Sequence, residues 1–512
     1  MLLIRMILVL SGLTLIASCS AGNIDPNIGA DNPAIRYTGR WNFDDPTAPW
    51  VGWQGSTISI AFRGSGVSAA VDFGDEAETL RIIVDGVPEE PARRISGGLQ
   101  TVILAADLDP DTDHVVTLMK EEYATSILSF HGFTLEDGRV VELPPRAEKR
   151  IAFFGDSNME GYSLYNEKNK GGNGTYFAYP ATVTRMLGAE MYLQAVGSAT
   201  LDGPSANDVV SFVRSPAFDR EDPAYADGFE PHLIVVNAGA NDISQVAPDE
   251  RQEYTKQNYR NAIAALRDAY GEQPHIILWN SYGWDPYEPA LYNQEIVDEI
   301  GGNLSKANFA WCWEQWHGDM VDHSGQAGQL AKYIASLDLG FEIQSGLDVV
   351  DGYGDGIGVA NGSFEGAARD GYGGFGWRYY EDGVERVMIG DAAAGDYVIR
   401  LEENELVHQC TDATGGSAKP SSGSQKIQLT ASVRSLSDGG TAILAADYSA
   451  QNLYARESLE EHEFEVGPQW QDYTATFTVP DGTWQTYVIL KSAGGELEFD
   501  NIRVNGVPDN AL

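Results

Sequence analysis

Residues 150–162 read Arg-Ile-Ala-Phe-Phe-Gly-Asp-Ser-Asn-Met-Glu-Gly-Tyr. An apolar strand, Arg150–Phe154, runs straight into a turn carrying Gly155, Asp156 and Ser157. In an open parallel sheet such a turn lies at the carboxyl end of a strand, where sites form. Ser157 then stands exposed at the start of the next helix, or it simply caps that helix, as serines commonly do. Further segments of the same texture follow. Tyr179–Leu187 reads as a helix, and Glu190–Val196 and Leu233–Asn237 read as strands. Glu250–Tyr270 reads as a helix, His275–Trp279 as a strand and Gln326–Leu337 as a final helix. Buried-type strands alternating with helices predict an α/β domain with a parallel sheet, over residues 147–342.

Outward from this domain the pattern changes. Thr57–Arg63, Val67–Phe73, Leu80–Asp85 and His114–Lys120 alternate apolar and polar residues between Gly- and Asp-rich turns. That predicts a β-sandwich of jelly-roll type over 35–146. Residues 343–357 are rich in Gly and Asp and read as a linker. Alternation returns in Tyr397–Leu401, Lys426–Val433, Tyr473–Val479, Thr486–Lys491 and Leu497–Val504, predicting a second β-sandwich over 358–508. The 512 residues are thus expected to form a multidomain protein: an N-terminal β-sandwich, a central α/β domain and a C-terminal β-sandwich.

At the N-terminus, Arg5 precedes an apolar run from Met6 to Ile16, too short to span a membrane. It reads as a signal peptide over residues 1–18. Charge bounds the partners. With 75 acidic against 33 basic residues, the net charge is -42. Nucleic-acid affinity comes largely from Lys and Arg neutralising phosphates, so a nucleic-acid partner is excluded. The acidic excess reads as a solvated surface, and nothing implies a protein partner.

Two more strand ends point to chemistry. Leu233–Asn237 runs into Ala238-Gly239-Ala240-Asn241-Asp242, so Asn241 sits at the same end of the sheet as Ser157. Its side-chain amide can donate to an oxyanion. Ala195-Val196-Gly197-Ser198 brings the backbone N–H of Gly197 to the same rim. Of the histidines in this domain, His232 and His275 each precede a strand, which places them at the opposite end in structural roles. His317 and His323 remain, both just before the predicted final helix.

Taken in order, the Gly-Asp-Ser turn at 155–157, Gly197, the Gly-Ala-Asn-Asp at 239–242 and a late histidine resemble the four blocks of the SGNH (GDSL) hydrolases. The late block of that family, Asp-x-x-His-Pro-Ser with a following Ala-Gly-His, aligns with His323-Ser324-Gly325-Gln326-Ala327-Gly328-Gln329. The resemblance implies Ser157 as nucleophile and His323 as general base, with Ser157, Gly197 and Asn241 as oxyanion donors. Met320 occupies the acid position; Asp319 and Asp322 flank it as candidates to orient the histidine.

The N-terminal domain narrows the resemblance. Gly39-Arg40, Trp53-Gln54-Gly55-Ser56 and Val84-Asp85-Gly86 are similar to the jelly roll of carbohydrate esterase family 2. Members of that family deacetylate plant polysaccharides such as xylan and glucomannan. Some hold the histidine by a main-chain carbonyl, which leaves the orienting group open between Asp319, Asp322 and the backbone. The resemblance implies a serine esterase acting on an acylated polysaccharide without a cofactor. A lipid or thioester hydrolase and a non-catalytic glycan-binding lipoprotein are the alternatives.

The chain ends carry resemblances of their own. Ile16-Ala17-Ser18-Cys19 resembles the lipobox of bacterial lipoproteins. It implies an exported protein lipidated at Cys19 and anchored to the outer membrane or cell surface, with residues 19–34 as a tether. Cys312 and Cys410 are left open as a pair. Asn361-Gly362-Ser363-Phe364-Glu365, Gly376-Trp377, Trp470-Gln471-Asp472-Tyr473 and Phe499-Asp500-Asn501-Ile502 resemble a carbohydrate-binding module. Such modules stack sugars on exposed aromatic rings, for which Trp377, Tyr379, Tyr380 and Trp484 are the candidates, with Trp470 in the core. They often hold a structural calcium, here near Glu365 and Asp500.

Overall fold

The computed structural model describes residues 27–507, apart from 123, 125, 163, 165–172, 219–221, 223–227, 283–286, 311–316, 319, 347–349, 352–358, 360, 366, 369–376, 378–382, 412–424, 450–455 and 484. Cys19, Cys312, Asp319, Tyr379, Tyr380 and Trp484 therefore lie outside the described residues. Among the described residues, no helix is long and apolar enough to cross a membrane.

The first β domain is two antiparallel sheets of five and seven strands. Alternation along Thr57–Arg63 and Gly66–Asp72 sends Ile58, Ile60, Phe62, Val67, Ala69 and Val71 inward, and residues of both sheets share one core. The chain enters this domain earlier than expected. Asn27–Gly29, assigned to the tether by its polar composition, pairs with Gly132–Thr134, and Ile28 and Ala30 are buried. One apolar side chain and three residues of ladder are enough to dock such a segment.

The central domain holds a five-stranded parallel sheet in the order Glu190–Ala195, Arg150–Gly155, Leu233–Asn237, His275–Tyr282, Leu304–Ala310. Its inner strands Arg150–Gly155 and Leu233–Asn237 are buried on both faces, as their continuous apolar composition requires. Among the described residues six α-helices accompany it: α1 (Ser157–Glu160), α2 (Tyr179–Met186), α3 (Val209–Phe212), α4 (Arg251–Tyr270), α5 (Asn293–Ile300) and α6 (Met320–Ser336). Because the first strand lies between the second and third, Gly155 is in register with both Ala195 and Asn237. Their three following loops emerge side by side at a switch point of the sheet. The helix expected at Gln326–Leu337 begins six residues earlier, at Met320, which changes the place of everything between.

The last domain has a five-stranded and a four-stranded antiparallel sheet. Residues from Val359 to Val504 form its core. The start of the linker is fastened to the central domain, where the backbone N–H groups of Gln344 and Ser345 donate to the Met186 carbonyl. Val350–Asp351 pairs with Ala367–Ala368.

Candidate active site

Gly155 ends its strand where no side chain fits: a Cβ there would lie 2.5 Å from the Asn237 carbonyl oxygen and 2.9 Å from Met159 Sδ. The next residue, Asp156, caps α1 by accepting from the Asn158 backbone N–H at 3.1 Å. This leaves Ser157, partly exposed, as the first residue of α1. Its Oγ lies 2.8 Å from Nε2 of His317. Burial pushes the His317 imidazole down to about 4, so at neutral pH it is uncharged and able to take a proton. Tyr162, 40 % exposed, leans on the His317 ring with centroids 4.7 Å apart.

His323, expected against Ser157, is elsewhere. It sits inside α6, fully buried, where its Nδ1 accepts from the Tyr179 backbone N–H at 3.2 Å and its ring stacks on Tyr179. It ties α6 to the first turn of α2. The cause of the misplacement is the earlier start of that helix, which turns the segment around His323 into its first two turns. Asp322, in the first turn of α6, has no base at Ser157 to orient through His323. The signal for His317 was in the chain: Glu314-Gln315-Trp316-His317 has the Asp-x-x-His spacing with Glu for Asp. Glu314 lies outside the described residues.

The other loops converge as their strand ends dictate. Asn241 follows Leu233–Asn237, and one of its two amide hydrogens goes to the Ala199 carbonyl at 2.8 Å, leaving the second for a ligand. Asp242 holds the two loops together. It accepts from the Leu201 backbone N–H at 3.0 Å and from Asn258 Nδ2 at 2.7 Å. Burial, against these donors, pushes its carboxyl up to about 6. Gly197 stands at the same rim: its carbonyl accepts from Asn207 Nδ2 at 3.1 Å, and Ser157 and the Glu160 carboxylate lie beside it.

A buried polar layer supports α1 from below. Asn158 Nδ2 and Tyr179 Oη both donate to Asn237 Oδ1 at 2.9 Å, and Asn237 Nδ2 donates to the Trp279 carbonyl at 2.8 Å. Composition alone does not mark such residues, because their partners come from four separate segments.

The first β domain reaches this same rim. Gln54 Nε2 donates to the Ala195 carbonyl at 2.6 Å, at the end of the strand that leads to Gly197. Trp53 Nε1 and Arg40 Nη1 both donate to the Ser215 carbonyl, and Arg40 Nε donates to Tyr192 Oη at 2.9 Å. Lys120, fully buried, is near enough to act on Glu160.

The expected sugar-stacking and calcium residues of the last domain can be placed in part. Trp377 is 2 % exposed and its Nε1 donates to the Asn361 carbonyl, so it is core and not a sugar platform. Trp470, expected in the core, is half-exposed, with the Arg434 guanidinium 4.7 Å over its ring. Glu365 accepts from the backbone N–H groups of Asp396 and Tyr397, and Asp500 from that of Ala394. Asp500 is pushed up to about 7 by burial and, more weakly, by the nearby Glu365. Among the described residues, no three His, Cys, Asp or Glu side chains gather as a metal site.

Two family models match these two domains: "Carbohydrate esterase 2 N-terminal" over residues 37–145 and "GDSL-like Lipase/Acylhydrolase family" over 153–309. The chain thus carries a carbohydrate esterase 2 N-terminal domain followed by a GDSL-like domain, and the relatives it resembles are carbohydrate esterases. It is 29 % identical over 332 residues to a cellulase/esterase of Acetivibrio thermocellus, CelE, covering 59 % of this chain and 39 % of that protein. It thus spans about two fifths of that relative's length. An acetylxylan esterase / glucomannan deacetylase of Cellvibrio japonicus is 22 % identical over 293 residues, 53 % of this chain and 79 % of that one. Among solved structures, a family two carbohydrate esterase from Clostridium thermocellum in complex with cellohexaose matches with a TM-score of 0.53 and 23 % identity. That match covers 59 % of this chain and 98 % of the other. One from Cellvibrio japonicus matches with a TM-score of 0.54 and 20 % identity, covering 60 % and 97 %. At these identities the two structures speak for the fold.

Proposed function

We propose that this protein is an exported serine esterase that removes O-acetyl groups from a plant polysaccharide such as xylan or glucomannan. The observation that carries the reading is the 2.8 Å contact between Ser157 Oγ and a neutral His317 Nε2 at the sheet's switch point. Ser157 Oγ attacks the acetyl carbonyl carbon while His317 takes the hydroxyl proton. The Asn241 amide and the Ser157 backbone N–H face the oxyanion that forms, and each such donor contributes about 2.7–4 kcal/mol to lowering the barrier. As the carbon–oxygen bond to the sugar breaks, His317 returns the proton to the sugar oxygen. Water then attacks the acetyl-serine by the same proton route and releases acetate. The steps call on no metal or organic cofactor. The Tyr162 face beside His317 suits the C–H side of a pyranose ring. Relatives named for acetylxylan and glucomannan deacetylation support the substrate class.

The finer readings rest on the sequence. The shared cores of the flanking sheets support reading both β domains as sandwiches. The run to Cys19 supports a lipid anchor; Cys19→Ser should release the protein from the membrane fraction, and unchanged membrane retention would refute lipidation.

The test is acetate release from acetylated xylan and glucomannan, and hydrolysis of an aryl acetate, by wild type, Ser157→Ala, His317→Ala and His323→Ala. Ser157→Ala should be inactive. His317→Ala should lose about 10²–10⁴-fold in kcat. His323→Ala should keep its kcat within a few-fold and lose thermal stability. Wild-type rates in Ser157→Ala overturn the proposal.

A further inference from the structure

Gln54 belongs to the first β domain, yet its side chain ends at the root of the loop that passes beside Ser157. It is 1 % exposed, and its Nε2 donates to the Ala195 carbonyl at 2.6 Å. Ala195 closes Glu190–Ala195, an edge strand of the parallel sheet. The next residue, Val196, donates inward to the Gly155 carbonyl, which turns the Ala195 carbonyl outward to the open edge. The segment that carries Gln54 has no freedom to slide. A Cβ on Gly52 would lie 2.6 Å from Ala217 Cβ, and one on Gly55 would lie 2.5 Å from Met191 Cε. The Gly55 N–H donates to the Lys120 carbonyl at 2.8 Å.

Beyond Ala195 the loop is tied at every second carbonyl. Asn207 Nδ2 donates to the Gly197 carbonyl at 3.1 Å, and Asn241 Nδ2 to that of Ala199 at 2.8 Å. Between them Ser198 is left-handed, with a φ of 64°. That conformation costs a non-glycine residue free energy and persists only where its surroundings fix it. Asn241 is also the residue whose second amide hydrogen faces the oxyanion, and Gly197 lies beside Ser157. A shift at the root of the loop therefore reaches the Asn241 amide and the Ser157 rim together.

Building on the esterase reading, we propose that Gln54 is a positioning residue for the reaction: from the first β domain it fixes the loop 195–199 and, through it, the Asn241 donor. Its energetics agree. Gln54 Oε1 is buried and has no hydrogen-bond partner among the described residues. A methionine at position 54 would remove that orphan acceptor and leave the Ala195 carbonyl as another, so the exchange is close to neutral for stability. What it takes away is the aim of the loop.

Gln54→Met and Gln54→Asn, whose amide falls one carbon short, test this with 4-nitrophenyl acetate and with phenylboronic acid. The boron of that acid accepts the Ser157 oxygen, the hydroxyl proton passes to His317, and a boronate oxygen comes to lie where the acetyl oxyanion forms. Interactions made only in the transition state act on kcat, so in both variants kcat should fall by about 10–10²-fold with KM within roughly twofold of wild type. The inhibition constant of phenylboronic acid should rise by the same factor as kcat falls, while the melting temperature of Gln54→Met stays near that of wild type. Trp53→Phe is the control. It loses the bond to the Ser215 carbonyl in the same segment but leaves the loop alone, and should keep wild-type kcat. Wild-type kcat in Gln54→Met, or a lower kcat without weaker boronate binding, overturns the positioning role and leaves the esterase intact. The same kcat loss in Trp53→Phe overturns it too, because the loss would then be general to the interface. Should Gln54→Met not fold, Gln54→Asn reads the same constants. A wild type inactive on both the aryl acetate and acetylated xylan overturns the esterase reading and this role with it.

Discussion

Arg40, in the first β domain, is buried against residues of the hydrolase domain: it donates to Tyr192 Oη, the Phe212 and Ser215 carbonyls and Tyr270 Oη. Arg434, in the last β domain, pairs with Asp391 and Glu498 of its own domain. The cores show the same contrast. Met119, Trp53 and Ala124 of the first domain lie in clusters otherwise formed by the hydrolase domain, whereas the last domain's main cluster draws only on residues 359–504. Two β domains of similar size thus stand in different relations to the chemistry. The first shares the central domain's interior. The last carries its own stability.

That contrast can be broken. Trp377→Ala empties a core position of the last domain and should cost about 3–5 kcal/mol there. Calorimetry should show the unfolding transition of that domain falling while kcat for an aryl acetate stays level. A matching loss of activity would mean the last domain supports the site after all. Arg40→Ala is expected to cost about 3 kcal/mol, because it leaves buried acceptors without a donor. Here the hydrolase transition and the activity should fall together, and an unchanged hydrolase transition would make the first domain an independent module. The smallest effect sharpens the comparison by metal. We propose that Glu365 and Asp500 contribute two oxygens to a calcium ion, which takes six to eight. Calcium should then raise only the last transition. The sign follows from Asp500: its folded carboxyl, raised to about 7, must be ionised to bind calcium, so the stabilisation is full above pH 7 and fades below it. A calcium-independent transition at pH 8 would remove the ion from the account.

Legibility in the sequence follows the same physical lines. Strands such as Thr57–Arg63 and Leu233–Asn237 were found with their full bounds, because alternation and continuous apolar runs are local signals. Ser157 and Asn241 were legible as loop residues at one end of one sheet, since parallel topology alone puts them there. His317 was in view and passed over. Choosing between it and His323 depends on where α6 begins, and the local pattern placed that start six residues too late. Asn27–Gly29 was lost to the tether because three polar-flanked residues carry no periodicity.

The sequence by itself determined the alternating domain texture and the Gly-Asp-Ser turn, since each is written in consecutive residues. Only the tertiary structure decided which histidine meets Ser157, that His323 is buried against Tyr179, and that Arg40 and Gln54 of one domain reach the site of another. Those facts join residues far apart in the chain, and distance along the chain carries no information about a hydrogen bond until the sheet brings its ends together.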